Sequence, residues 1–160
     1  MYNVVKVDNC PIETPMKILL ETDIFPGGII FFGHIQIANN ISGELTFAIE
    51  STRCSLDLKL CEKWKTFNIK DVCKRIEDKN KFYSELFSSI EPKLECPFKA
   101  GNYTIDRALV DLVVLRFLPM DGFIWILTGK LVTSEKGSKI KKVIACLIFE
   151  MKVTRGNQRI

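Results

Sequence analysis

The sequence predicts a mainly β protein, an antiparallel cup or sandwich, with one or two short helices around residues 68–90. Three observations lead there. Apolar and β-branched residues come in short stretches parted by turn chemistry, six cysteines are spread from Cys10 to Cys146, and only residues 68–90 carry helical spacing. At 160 residues the chain is long enough for one domain, 1–160, to bury roughly 68–70% of the surface its unfolded form exposes, with the last few residues expected to fray.

Taken in order, Met16 to Thr22 and Ile29 to Ala38 read as strands flanking the turn Phe25-Pro26-Gly27-Gly28. Asn39-Asn40-Ile41-Ser42-Gly43 then leads into Glu44 to Glu50, where Leu45, Phe47 and Ile49 alternate with Thr46, Ala48 and Glu50. These three strands read as a meander of hairpins. Next, with Asn68 as N-cap and Asp71 as the acidic half of a capping box, Ile69, Val72, Cys73 and Ile76 recur at helix spacing. A second stripe, Phe82, Leu86, Phe87 and Ile90, ends at Pro92, and the polar run Glu77 to Lys81 separates the two. The expectation is one helix or two short ones lying across a sheet.

The run Cys96-Pro97-Phe98-Lys99-Ala100-Gly101-Asn102-Tyr103-Thr104 joins a cysteine, a turn and the start of a strand in a few residues, with Gly101 supplying backbone freedom. Further strands are expected at Tyr103 to Leu109, Val110 to Phe117, Phe123 to Thr133 and Ile140 to Val153. The polar turn Ser134-Glu135-Lys136-Gly137-Ser138 joins the last two as a protruding hairpin.

The six cysteines, Cys10, Cys54, Cys61, Cys73, Cys96 and Cys146, include no Cys-x-x-Cys pair of the kind zinc sites and thioredoxin-like centres use. An even count at wide spacing favours three disulfides and an oxidising compartment. Two sequons, Asn40-Ile41-Ser42 and Asn102-Tyr103-Thr104, make Asn40 and Asn102 candidate glycosylation sites and favour secretion as well. Met1 to Val7 lack a basic segment followed by an apolar stretch, so the sequence reads as a mature form without its signal peptide. The competing reading is a cytosolic protein with free thiols.

Composition excludes several function classes. The net charge of +4 comes in good part from Lys136, Lys139, Lys141, Lys142, Lys152, Arg155 and Arg159, without the interleaved aromatics of a nucleic-acid platform. A solvated hairpin and tail account for that cluster, and attraction to anionic headgroups is its functional version. Residues 108–127 are apolar but broken by Asp111, Arg116, Pro119 and Asp121, which rules out a membrane span. The single histidine, His34, reads as a polar residue on the outer face of a strand, and no nucleophile elbow, phosphate loop or metal-spaced cluster accompanies it. No catalytic residue, metal or cofactor is expected.

What the chain has in excess is bulky apolar sequence on strands, with several runs apolar on both faces. Cover on both sides and a lined internal cavity both satisfy that pattern. The segment Phe117-Leu118-Pro119-Met120-Asp121-Gly122-Phe123 combines turn chemistry with large apolar side chains, as a loop at the mouth of a pocket would, or a buried corner. Strand position and rim chemistry make Phe31, Ile35, Phe47, Phe117, Leu118, Met120, Phe123, Trp125 and Leu127 the candidate ligand contacts.

A resemblance sharpens this. Asp8-Asn9-Cys10, the Cys54 and Cys61 pair, Cys73 after Phe67-Asn68-Ile69-Lys70-Asp71-Val72, Cys96-Pro97-Phe98-Lys99-Ala100-Gly101-Asn102-Tyr103, and Cys146 in the final strand resemble the ganglioside-activator branch of the ML lipid-recognition superfamily. They are still more similar to its insect relatives, the chemosensory-protein-B group. The resemblance covers nearly the whole chain. It implies an antiparallel β-cup enclosing an apolar cavity that holds a lipid, with Cys10 bonded to Cys146, Cys54 to Cys61 and Cys73 to Cys96; six cysteines alone allow fifteen connectivities. The ganglioside activator's fourth disulfide has no cysteines here, and its tryptophan-bearing rim loop is matched by Phe117 to Phe123, with Trp125 in the strand beyond. The expected activity is therefore secreted binding or transfer of a fatty acyl, hydrocarbon or glycolipid chain, in a role such as chemosensation. The alternative is a lipid-presenting activator of a hydrolase, or a lipid sensor for a receptor. Expected partners are a hydrophobic small molecule and, at the rim, a membrane surface or a protein, with no nucleic acid.

Overall fold

A computed structural model of the chain describes residues 2–25, 28–81, 83–111, 121–135, 137 and 139–153. The strands are β1 (Tyr2–Asn9), β2 (Met16–Phe25), β3 (Gly28–Ile37), β4 (Glu44–Cys54), β5 (Cys61–Ile69), β6 (Ile90–Glu91), β7 (Gly101–Asp111), β8 (Ile124–Ser134) and β9 (Lys141–Val153). Two short helices, α1 (Val72–Arg75) and α2 (Ser84–Ser88), lie between β5 and β6. The strands form two antiparallel sheets, a five-stranded one in the order β1-β9-β8-β4-β5 and a four-stranded one in the order β2-β3-β7-β6. The chain is mainly β, a sandwich, as its turn-punctuated apolar runs predict.

Cross-strand partners share a face, so the register identifies the inner surfaces. In the five-stranded sheet Phe47 opposes Leu131 and Ile49 opposes Gly129, while Trp125, Leu127 and Gly129 of β8 oppose Met151, Phe149 and Leu147 of β9. In the four-stranded sheet Met16 and Tyr103 flank Ile37 and Ile35, and Ala108 and Val110 oppose Phe31 and Ile29. Their outward neighbours His34 and Gln36 are exposed, which is where the alternation puts polar side chains. At one end Met16, Ile35, Ile37, Ile41, Leu45, Phe98, Tyr103, Leu131 and Ile144 form a closed core. Ile29, Trp125, Met151 and Val153 form a smaller one at the other end.

The sheets are tied along one edge. The Asn9 side-chain amide donates to the Ile18 carbonyl at 2.9 Å while its Oδ1 accepts from the Ile18 N–H at 3.2 Å, which bridges β1 to β2. Next to it Cys10 bonds Cys146, with Cα atoms 5.4 Å apart. On the opposite edge α1 lies against β4 and α2 against β7. Cys54 bonds Cys61 at the end of the β4–β5 hairpin, and Cys73 of α1 bonds Cys96, so the three pairs are those the resemblance implies.

Several elements differ from the sequence expectation. The three early strands are not one meander, because the connection after β3 leaves one sheet for the other. Ile41 plugs into the closed core and bridges Phe98, and the backbone turns at Gly43, where a Cβ would stand 2.7 Å from Thr133 Oγ1. Strand β5 replaces the start of the expected helix: Asn68 pairs with Ala48 in a ladder whose register the Cys54–Cys61 hairpin sets, and long-range pairing overrides the helical spacing. The N-cap of α1 is Asp71, in the left-handed region at φ 56°, without a side-chain capping bond. Ile90 belongs to β6 and opposes Ile105, so the second stripe supplies only the short helix α2. Strand β7 runs unbroken across the break expected between Leu109 and Val110, the second expected strand beyond Asp111 lying outside the described residues, and a bulge near Arg107, φ 49°, keeps Ala108 and Val110 facing inward.

Candidate functional site

The middle of the interior is where the two sheets carry apolar side chains that are only half-buried. Phe31 of β3 meets Phe149 of β9 edge to face across the gap, with ring centroids 6.1 Å apart, so both point inward from opposite sheets. Phe31, Phe47, Leu127 and Phe149 are nevertheless only half-buried, whereas the layers toward either end are buried. A side chain between two sheets retains accessible surface only where it borders a gap or an opening. Gly129 sits in this layer under the Phe47 ring, whose Cζ is 2.9 Å from the place a Cβ would occupy, so glycine admits the ring against the strand.

Toward the end of the sandwich where β4, β8 and β9 meet, the wall becomes aromatic. Trp125, 1% exposed, is packed edge to face against Trp64 of β5 at 5.0 Å and against Phe123 at 6.4 Å. The Arg53 guanidinium lies 4.6 Å from the Phe123 ring centroid and pairs with Glu62. A bulge in β5 brings Trp64 into this layer, and the buried Ser51 hydroxyl holds the bulge by accepting from the Lys65 N–H at 3.1 Å and donating to the Lys65 carbonyl at 2.7 Å. Farther along β5, Phe67 shares the face of Ile49 yet is exposed, so apolar surface reaches solvent along the edge of the five-stranded sheet. Every described buried side-chain nitrogen and oxygen has a hydrogen-bond partner.

The structure thus brings together Phe31, Phe47 and Leu127 in the half-buried layer, and Phe123 and Trp125 at one end of it. Ile35, 3% exposed, belongs instead to the closed core. Phe117, Leu118 and Met120 lie outside the described residues. Sequence reasoning missed Phe149, Trp64 and Phe67 as members of the site. Alternation along β9 is available to find Phe149, but the lysine-rich, bulged segment Glu62-Lys63-Trp64-Lys65 conceals Trp64. A pocket of about 410 Å³ opens at the opposite, closed end, lined by Pro15, Asn40, Ile41, Thr133, Glu135 and Ile140 among others, and includes none of the candidate ligand contacts.

The remaining candidates are on the surface. Asn40 and Asn102 are exposed, Asn40 Oδ1 accepting from the Ala100 N–H at 2.8 Å. His34 is exposed on β3. Among the described residues no cluster of histidine, cysteine or acidic side chains has the arrangement to hold a metal ion, and no helix is long and apolar enough to cross a membrane.

No family model matches the chain, and no curated protein matches it. Among solved structures, the solution structure of CsgH from R. palustris is similar at 9% identity, covering 81% of this chain and 91% of that chain with a TM-score of 0.23.

Proposed function

We propose that this protein is a secreted carrier that holds a hydrophobic chain, fatty acyl, hydrocarbon or glycolipid, between its two sheets. The observation that carries the reading is the half-buried layer of Phe31, Phe47, Leu127 and Phe149 between two buried ones. An alkyl chain laid against it would remove apolar surface from water at about 0.8 kcal/mol per methylene. Affinity then rises with chain length until the space is filled. The Cys-Pro-Phe-Lys-x-Gly-x-Tyr segment and the cysteine order, which resemble ML lipid-recognition proteins, favour the same class of cargo.

Secretion is part of the proposal. Three disulfides are typical of extracellular proteins, and two exposed sequons are suited to carry glycans there. Handling of hydrocarbons or pheromones in chemosensation is the physiological setting that the resemblance favours. The test is uptake of a fluorescent fatty acid by delipidated protein. Saturable binding that unlabelled long-chain lipid displaces supports the reading, and absence of uptake across a series of chain lengths rejects it.

A further inference from the structure

The loop joining β4 to β5 is built in an unusual way. It is the six-residue segment Ser55-Leu56-Asp57-Leu58-Lys59-Leu60, clamped at its base by the Cys54–Cys61 disulfide. Four of its backbone N–H groups and the Ser55 and Asp57 side chains are bonded within the loop. Ser55 N–H donates to the Leu60 carbonyl at 2.8 Å and Leu58 N–H to the Ser55 carbonyl at 2.9 Å, while Ser55 Oγ accepts from Leu60 N–H at 3.1 Å. The Asp57 carboxylate accepts from the Ser55 hydroxyl at 2.5 Å and from the Lys59 N–H at 3.0 Å. The leucines are turned outward instead: Leu56, Leu58 and Leu60 are 53, 48 and 77% exposed. Leu58 adopts φ 61°, a left-handed conformation that is strained for a leucine.

A loop clamped by a disulfide, cross-bonded within itself and presenting three leucines is a preformed apolar knob. Its surroundings indicate what it meets. Lys59 in the loop and Lys63 just beyond its base are exposed, and neither is in an ion pair among the described residues. Of the nearby acids, Glu62 is paired with Arg53, while Asp57 is held within the loop by neutral donors and keeps its charge, which Lys59 and Lys63 together outweigh. The exposed apolar area amounts to a little under two whole leucines, far short of what a stable dimer interface needs. It suits shallow burial among headgroups and upper acyl carbons, with lysines at phosphate level. The knob also extends from the end of β4 that pairs with Ile124, beside the aromatic layer of Trp125, Phe123 and Trp64.

We infer that the Cys54–Cys61 hairpin is a membrane-docking element that inserts Leu56, Leu58 and Leu60 into an anionic bilayer surface. Its use in loading cargo rests on the carrier reading above, whereas the docking itself does not. The experiment is cosedimentation of the full chain with vesicles of phosphatidylcholine alone and of phosphatidylcholine with phosphatidylserine. Wild-type protein is expected to partition more strongly to the anionic vesicles. Leu56→Ser, Leu58→Ser and Leu60→Ser together lower that partitioning on the order of 100-fold. Lys59→Gln and Lys63→Gln each lower it roughly fivefold on anionic vesicles and leave neutral ones unchanged. Near-ultraviolet circular dichroism checks the fold of the leucine variant, and the lysine variants test the same surface without touching the loop's packing.

Partitioning that neither set of variants changes overturns the inference. So does a wild-type dimer in sedimentation velocity that the leucine variant dissolves, because the knob would then be a contact between copies. Fatty-acid uptake without vesicles should be the same in wild type and variants. Its failure in all of them rejects the carrier reading while the vesicle result stands.

Discussion

Replacing Gly129 with leucine separates a hollow interior from a filled one. The position lies in the half-buried layer, where a Cβ alone would come within 2.9 Å of Phe47 Cζ and 3.3 Å of its Cε2, so the ring must move. In a close-packed core, overpacking of this kind costs about 1–3 kcal/mol of stability. In a hollow one the ring swings into open space, and the loss of a strand-interior glycine returns about 0.5–1 kcal/mol. The added side chain then occupies room that cargo would use, about four methylene-sized groups at about 0.8 kcal/mol each. That is about 3 kcal/mol in the binding of a chain that fills the space, or on the order of 200-fold in Kd. The assay is a chain-length series of fluorescent fatty acids alongside denaturant unfolding. The expected result is near-wild-type stability with an optimum shortened by about four carbons. A variant that loses stability while its chain-length optimum stays in place would mean that the interior is filled.

Three further outcomes follow from the same geometry. Changing Cys10 and Cys146 together to serine opens the loop with sequence separation 136 and should lower stability by about 5 kcal/mol on the loop-entropy relation, against about 2.5 kcal/mol for the Cys54–Cys61 pair with separation 7, both read from denaturant midpoints. Trp125→Ala removes a side chain 1% exposed and its edge-to-face contacts with Trp64 and Phe123, so an unfolding cost of about 3–5 kcal/mol and loss of near-ultraviolet signal are expected. The Ser55 hydroxyl, and after it the Lys59 N–H, hold the Asp57 carboxyl below the usual aspartate value. A lowered folded-state pKa contributes stability above the unfolded value, near 3.9, and that contribution is lost as pH falls through the folded one. An NMR titration should therefore find Asp57 titrating below that value, and Ser55→Ala should move it upward.

Much of the fold was legible because local chemistry and tertiary structure agree there. The alternation of Leu45, Phe47 and Ile49 predicts β4, and the polar turn after Ser134 predicts the β8–β9 hairpin. The sequence misleads where a long-range contact decides. Asn68 has the local marks of a helix cap but is drawn into β5 by pairing with Ala48, and nothing local reveals that the chain changes sheets after β3. The disulfide pairs were reachable only through resemblance, since counting cysteines leaves every connectivity open.

For the candidate site, alternation with small or polar neighbours gives Phe47 an inward side, whereas Phe31 and Leu127 lie in runs apolar on both faces, and only the cross-strand register shows which side they take. Sequence position does not distinguish Ile35, in the closed core, from Phe31 a few residues earlier in the same strand, since core and wall are equally apolar. Trp64 escapes for a different reason: the bulge opposite Ser51 breaks the period that would reveal which way it faces.

The most direct measurement is native mass spectrometry of the protein isolated from its own tissue without detergent, with the released material extracted into organic solvent and identified. The carrier account predicts a mass above that of the bare chain and its glycans, removed by delipidation and recovered as long-chain hydrophobic molecules in one-to-one stoichiometry. Protein that flies only at its bare or glycosylated mass, and that gives no such molecules on extraction, would contradict it.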